Sequence, residues 1–213
     1  NEIYGLTKGQ YSPTSRVGTR SPSTPQGSVE APVSAALFAL GAGARFVARS
    51  VDTDQKHLPE MFKRAHAHRG TSLLEIFQNC IVYNDGVFDS FKAPAAAADR
   101  QVRVVHGEPM IFGKEKDRGL CLSEDEVKIE AVTIGEDGVT VDDVLVHDET
   151  NRIMANLLAS MDPDTLPVAL GVLYCDPAPT YEKGVLDQVE QVRAKESGED
   201  LNKLLRSGHT WTV

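Results

Sequence analysis

Between Ala31 and Cys80 the hydrophobic pattern switches repeatedly between helical and strand periods, and that alternation narrows the possible fold more than any other feature. PVSAALFALGAG has a helical pattern, ARFVAR a strand pattern, HLPEMFKRAHAHRG a helix ending at a glycine cap, and TSLLEIFQNC a second strand. The helix over 57–69 places Leu58, Met61, Phe62 and Ala65 on one face, with Pro59 tolerated in its first turn. Helices alternating with strands at this spacing predict an α/β fold whose sheet is mostly parallel and built from crossovers. Such sheets bind ligands at the carboxyl ends of their strands. Two loops therefore matter: residues 1–30, if a strand precedes Asn1, and the segment starting at Asn79.

The Ala/Pro-rich stretch 89–100 is the expected connection between two regions, 1–98 and a smaller mixed α+β region over 99–213. In the second region HGEPMIFG and GLCL flank a charged turn. EVKIEAVTIGEDGVTVDDVLV suggests two strands about the Gly135–Gly138 turn. A helix (NRIMANLLASM), a strand (VALGVLYC) and an amphipathic helix carrying Val185, Leu186, Val189 and Val192 follow, with a tail ending HTWTV. No internal repeat stands out.

A net charge of -9 argues against a nucleic-acid or anionic-membrane footprint, because phosphate backbones need clustered Lys and Arg. The longest apolar stretch, Ala31–Ala44, is too short to span a hydrocarbon core of about 30 Å and fits a buried helix. No signal peptide is visible. Cys80, Cys121 and Cys175 are an odd number at wide spacing, with neither a disulfide framework nor a CxxC clip, so a reducing cytoplasm is expected.

Most candidate chemistry has an ordinary explanation. His66 and His68 do not share a helix face and fit a solvated helix end. The GxG of LGAGA follows a helix rather than a strand, so a dinucleotide site fails on context. His106, Glu108, Glu124, Asp125, Asp142 and Asp143 lack a common focus. Cys121 and Cys175 sit in apolar strands as small buried hydrophobes. Cys80 differs, because it ends a strand and precedes a polar turn. One thiolate does not complete a cluster set, which needs several.

Residues 1–30, with Pro13, Gly18, Pro22, Pro25 and Gly27, exclude regular structure, and a terminal position makes disorder the simplest expectation. A second reading is chemical. The Asn1 side chain and the Ile3 carbonyl suit a magnesium ion on a diphosphate. Gly5 permits close ligand approach, Gly9 a tight turn, Thr7 a phosphate hydrogen bond, and Lys8 a point charge for an anion.

The string NEIYGLTKGQYSPTS resembles the second half of the thiamine-diphosphate site in beta subunits of 2-oxoacid:ferredoxin oxidoreductases, most closely those acting on 2-oxoglutarate. The resemblance continues through SPSTPQGS, HRGTSLLEIFQNCIVYNDGVFD, HGEPMIFG and HTWTV, and is weakest over 114–200. It implies that Asn1 and Ile3 bind magnesium and that Gly5 and Leu6 border thiamine diphosphate, with Tyr4 and Thr7 adjacent. It also implies that Leu6 and Lys8 influence the choice of 2-oxoacid, Lys8 meeting a distal carboxylate, and that Cys80 is the fourth ligand of a [4Fe-4S] cluster. The family's CPGCG and GDGD strings, which supply the other cluster and magnesium ligands, do not occur here. The chain is thus expected to be the C-terminal portion of a longer subunit, inactive alone.

For the intact enzyme the resemblance implies oxidative decarboxylation of a 2-oxoacid to an acyl-CoA, or the reverse carboxylation. Electrons would pass through the cluster to ferredoxin, and an alpha subunit would complete the site. Two alternatives stay open: a sibling enzyme using pyruvate or a branched 2-oxoacid, and a non-catalytic α/β interaction module.

Overall fold

Local capping chemistry sets the first elements. Ser34 accepts a hydrogen bond from the Leu37 N–H (3.3 Å) and starts α1 (Ala35–Gly41). The chain then enters β1 (Phe46–Val51), every residue of which is buried. Asp54 accepts from the backbone N–H groups of Lys56 (3.1 Å) and His57 (2.9 Å), so a residue ahead of the helix caps α2 (His57–Ala67). A left-handed Gly70 ends the turn before β2 (Leu73–Phe77). These four elements match the sequence expectation. On α2, however, only Met61 of the four expected apolar residues is buried, and Phe62 is 53% exposed.

The computed structural model describes residues 2–123, 125–195, 201–209 and 211. After β2 come two single-turn helices, α3 (Asp89–Lys92) and α4 (Ala97–Arg100), then β3 (Gln101–Val104), β4 (Ile111–Phe112), β5 (Arg118–Leu122) and β6 (Ile129–Thr133). A 3₁₀ turn (Val141–Asp143), α5 (Arg152–Ser160), β7 (Val168–Cys175), α6 (Tyr181–Lys195) and α7 (Leu201–Leu205) complete the order. One compact unit runs to Pro177, and residues from Ala178 onward, with α6 and α7, form another.

The main sheet has the order β2-β1-β7-β3. Its β1–β2 and β3–β7 pairs are parallel, as expected of most of the sheet, while β1 and β7 run antiparallel, so the sheet is mixed. The reason lies in β7, whose run VALGVLYC is buried over its first seven residues and needs cover on both faces. It therefore occupies the sheet interior, between β1 and β3. Gly171 makes this possible: its φ is +138°, and a Cβ there would lie 2.4 Å from the Val104 carbonyl oxygen.

Met61 of α2 covers Phe46, Ala48 and Val172 on one face of the sheet. On the other face, Ala36 and Leu40 of α1 and Ala155, Leu158 and Ala159 of α5 pack with Val47, Val102, Leu173 and residues of the small antiparallel sheet β4-β5-β6. The segment 89–100 is more than a connection, because Phe88 and Phe91 are buried against Phe77 with ring centroids 5.4 and 5.3 Å away. The expected strand pair about Gly135–Gly138 is half right. Residues 129–133 pair with β5, but beyond the turn the Asp143 carboxylate accepts from the Thr140 N–H and hydroxyl (2.8 Å each), which curls the chain into the 3₁₀ turn.

Candidate functional site

Residues 2–33 are a hydrogen-bonded structure rather than a frayed end. The Tyr4 N–H donates to the Gln10 carbonyl (2.8 Å), the Gly9 N–H to Tyr4 (2.9 Å) and the Lys8 N–H to Gly5 (3.1 Å), closing a tight loop over 4–10. Beyond it, the Gly18 N–H donates to Ser28 (2.7 Å), the Ser28 N–H to Thr19 (3.0 Å), and the Val33 N–H ties the loop to Pro13 (2.8 Å). Composition could not reveal this order, because the partners lie up to twenty residues apart and carry no periodic signal.

Within the tight loop Lys8 and Gly9 both have left-handed backbones, at φ +72° and +88°. A non-glycine residue held there costs energy and is the kind of strain that gathers at ligand sites. Ile3 is buried, Tyr4 is half exposed, and Leu6, Thr7 and Lys8 point to solvent. The Thr7 hydroxyl donates to the Gln10 side-chain oxygen.

The loop after β2 lies against this one. A Cβ on Gly5 would sit 3.1 Å from the Cys80 sulfur, and one on Gly9 would sit 2.5 Å from a Tyr83 ring carbon. Two glycines thus let two loops some seventy residues apart in sequence interlock. The Cys80 sulfur faces the backbone N–H groups of Tyr83, Val82 and Asn84, which hold its thiol below the ordinary range. Burial instead pushes the Cys121 and Cys175 thiols up. Both are partly buried, close to the expected role of small strand hydrophobes, and Cys121 donates to the Asp143 carbonyl (3.1 Å).

These observations fit some of the expected groups better than others. The N–H donors around Cys80 suit a thiolate ligand, and the Gly5 and Gly9 cradle suits close approach of a cofactor. For magnesium, Asn1 lies outside the described residues, leaving the Ile3 carbonyl as the described member of the expected pair. Glu2, the carboxylate between them in the sequence, pairs with Arg16 (3.3 Å), and burial pushes its carboxyl up despite that guanidinium. Among the described residues no three His, Cys, Asp or Glu side chains converge on a metal position. His66 is exposed, and His68 lies against Phe46 with ring centroids 5.4 Å apart.

Several polar contacts escaped the sequence reading. Arg49 on β1 pairs with Glu75 on β2 (2.8 Å) at the wall of a 310 Å³ cavity also lined by Glu2, Arg16 and Phe77. Ser50 meets the His57 ring nitrogen (2.8 Å). Asp52, at the end of β1, accepts from Lys92 and from the Asn79 N–H (3.4 Å). The alternation of strands placed Arg49 and Glu75 on β1 and β2, but their register was not legible.

Residues 1–76 match the family described as the C-terminal TPP binding domain of thiamine pyrophosphate enzymes. The chain is 39% identical, over its full length, to the 2-oxoglutarate oxidoreductase subunit KorB of Mycobacterium tuberculosis, of which it covers 57%. It is 40% identical over 85 residues to the 2-oxoacid:ferredoxin oxidoreductase subunit beta of Saccharolobus solfataricus, a stretch covering 40% of this chain and 28% of that one. Among solved structures it resembles a 2-oxoglutarate:ferredoxin oxidoreductase from Magnetococcus marinus with 2-oxoglutarate, coenzyme A and succinyl-CoA bound. That match has a TM-score of 0.65 at 27% identity and covers 99% of this chain and 56% of the other. The chain thus spans little more than half the length of the relatives it matches end to end.

Proposed function

We propose that this chain, a member of the 2-oxoacid:ferredoxin oxidoreductase beta-subunit family, contributes half of a thiamine-diphosphate site and one cluster thiolate to an enzyme acting on 2-oxoglutarate. The reaction is oxidative decarboxylation to an acyl-coenzyme A with electrons leaving to ferredoxin, or the reverse carboxylation. The carrying observation is the packing of Gly5 against the Cys80 sulfur, so close that a Cβ on Gly5 would stand 3.1 Å from it, which puts the cofactor loop beside the candidate cluster ligand.

In this reading Gly5 and Leu6 border the cofactor beside Tyr4 and Thr7, and the Ile3 carbonyl joins Asn1 at magnesium. Thiamine diphosphate, when bound, supplies the electron sink that a 2-oxoacid needs to lose carbon dioxide. Lys8 offers its ammonium to the distal carboxylate of a dicarboxylic substrate, while the fully exposed Leu6 faces the space the substrate enters. Cys80 holds its sulfur ready for a [4Fe-4S] cluster. Residues 1–98 carry both loops, and 99–213 form the accompanying region. An alpha subunit closes the site, and the enzyme works in the cytoplasm. No helix among the described residues is long and apolar enough to cross a membrane.

The test is turnover by the assembled alpha–beta complex. Coenzyme A-dependent reduction of ferredoxin should proceed with kcat/KM at least tenfold higher for 2-oxoglutarate than for pyruvate, and Lys8→Met should erase that preference. Preference for pyruvate or a branched 2-oxoacid would replace the substrate assignment, and no turnover on any 2-oxoacid would favour an interaction module. Cys80→Ser should lower the iron content of the complex and abolish electron transfer.

A further inference from the structure

A helix keeps its shape in water only as well as its apolar side is covered. α6 is 15 residues long, and none of its residues is buried. A helix of that length is marginal in water without packing. At about 100° per residue, Tyr181, Val185, Val189 and Val192 fall within an arc of about 80° and form one stripe about 17 Å long, exposed at all four positions.

The charges are sorted about that stripe. Lys183, Asp187 and Glu190 lie on the far face, where Lys183 and Asp187 satisfy each other within the helix (2.8 Å). Glu182 and Arg193 share one flank of the stripe, the first in the opening turn of the helix and the second in its last. Glu182 takes a hydrogen bond from Thr180, but among the described residues neither it nor Arg193 has an ion-pair partner. The other flank carries Gln188 and Lys195.

This sorting makes the face complementary to itself in one direction. When two copies of a helix pack antiparallel about a two-fold axis, each flank meets the same flank of the other copy; packed parallel, each meets the opposite flank. An antiparallel pair of α6 helices therefore sets Glu182 of one copy against Arg193 of the other, twice, with Val189 near the axis and facing its own counterpart. A parallel pair would bring Arg193 toward Lys195 and leave Glu182 beside Gln188. Exposed ion pairs of this kind add little stability, but they fix orientation.

We propose that α6 is an interface between two copies of this chain, packed antiparallel along Tyr181, Val185, Val189 and Val192 and set in direction by Glu182–Arg193 ion pairs. The interface joins two alpha–beta units and makes no use of the cofactor loops, so it goes beyond the proposed chemistry and does not depend on it.

The experiment places Val189→Cys, on the stripe, and Glu190→Cys, on the far face, separately in the full-length subunit and treats each assembled alpha–beta complex with a short bis-maleimide. The readout is the yield of peptide linking the substituted position in one copy to the same position in another, identified by mass spectrometry. Linkage through position 189 should exceed linkage through position 190 at least tenfold. In the Val189→Cys background, Glu182→Arg or Arg193→Glu alone should lower the yield at least fivefold, and the two together should restore it to within twofold. Equal yields at 189 and 190, or links from 189 to the alpha subunit alone, overturn the proposal. Single reversals that change nothing, or a double that fails to restore the yield, overturn the antiparallel pairing. Full linkage at 189 in a complex that turns over no 2-oxoacid would remove the proposed function and leave this interface standing.

Discussion

Gly9 meets two demands at one backbone position: a left-handed φ of +88°, and a Tyr83 ring where its Cβ would stand. The backbone alone costs an alanine roughly 1–2 kcal/mol, and the ring must also move. Gly9→Ala should therefore lower the melting temperature of the complex by several degrees and weaken thiamine-diphosphate binding at least tenfold. Calorimetry of both would check this, and wild-type values would refute the interlock. The turn was legible in the string TKGQ, whereas the ring was not, because nothing local marks Tyr83 as its neighbour. His57 went unread for the same reason. Burial, and then the Arg103 charge, push it down to about 4, although Asp54 opposes the shift. The unfolded chain takes up that proton near an ordinary pKa of about 6.5. Between those values the unfolded state binds more protons, so stability is complete above about pH 6.5 and falls as pH drops toward 4. Discounted for a half-exposed ring, the loss is on the order of 2 kcal/mol, and His57→Gln should flatten that part of a denaturation series across pH.

Among the elements, β7 and α3 departed most from expectation. The length and apolarity of β7 were plain in VALGVLYC, but its neighbours were not, and a strand buried on both faces goes where cover exists. Its dependence on Gly171 is testable. A Cβ there meets backbone, the Val104 carbonyl, which cannot swing aside as a side-chain tip does. Gly171→Ala should cost about 3 kcal/mol, read by chemical denaturation, and a loss below about 1 kcal/mol would mean that the β3–β7 approach is looser than described. In α3, composition favoured a connection because Ala and Pro dominate the segment 89–100. One buried phenylalanine reverses that reading: Phe91→Ala should cost about 3–4 kcal/mol and also loosen the loop that Lys92 helps to hold.

At the scale of the whole molecule, the loop tips that meet at the site leave Leu6, Ile81 and Val82 exposed. Apolar tips grouped beside a ligand loop suit coverage by a partner, here the proposed alpha subunit. Val82→Asp should lower the yield of assembled complex at least fivefold without lowering the subunit's own melting temperature, and an unchanged yield would place the partner elsewhere. The alternation of periods, the helix caps, the glycine-marked turns and the NEIYGLTKGQ string were determined by the sequence alone, since each depends on residues a few positions apart. The direction of β7, the contact of Gly5 with Cys80 and the circuit from Lys92 through Asp52 to Asn79 were decided only in three dimensions. Each joins residues far apart in the chain, where close packing of the sheet and its covering helices selects the partner, and no local pattern records that choice.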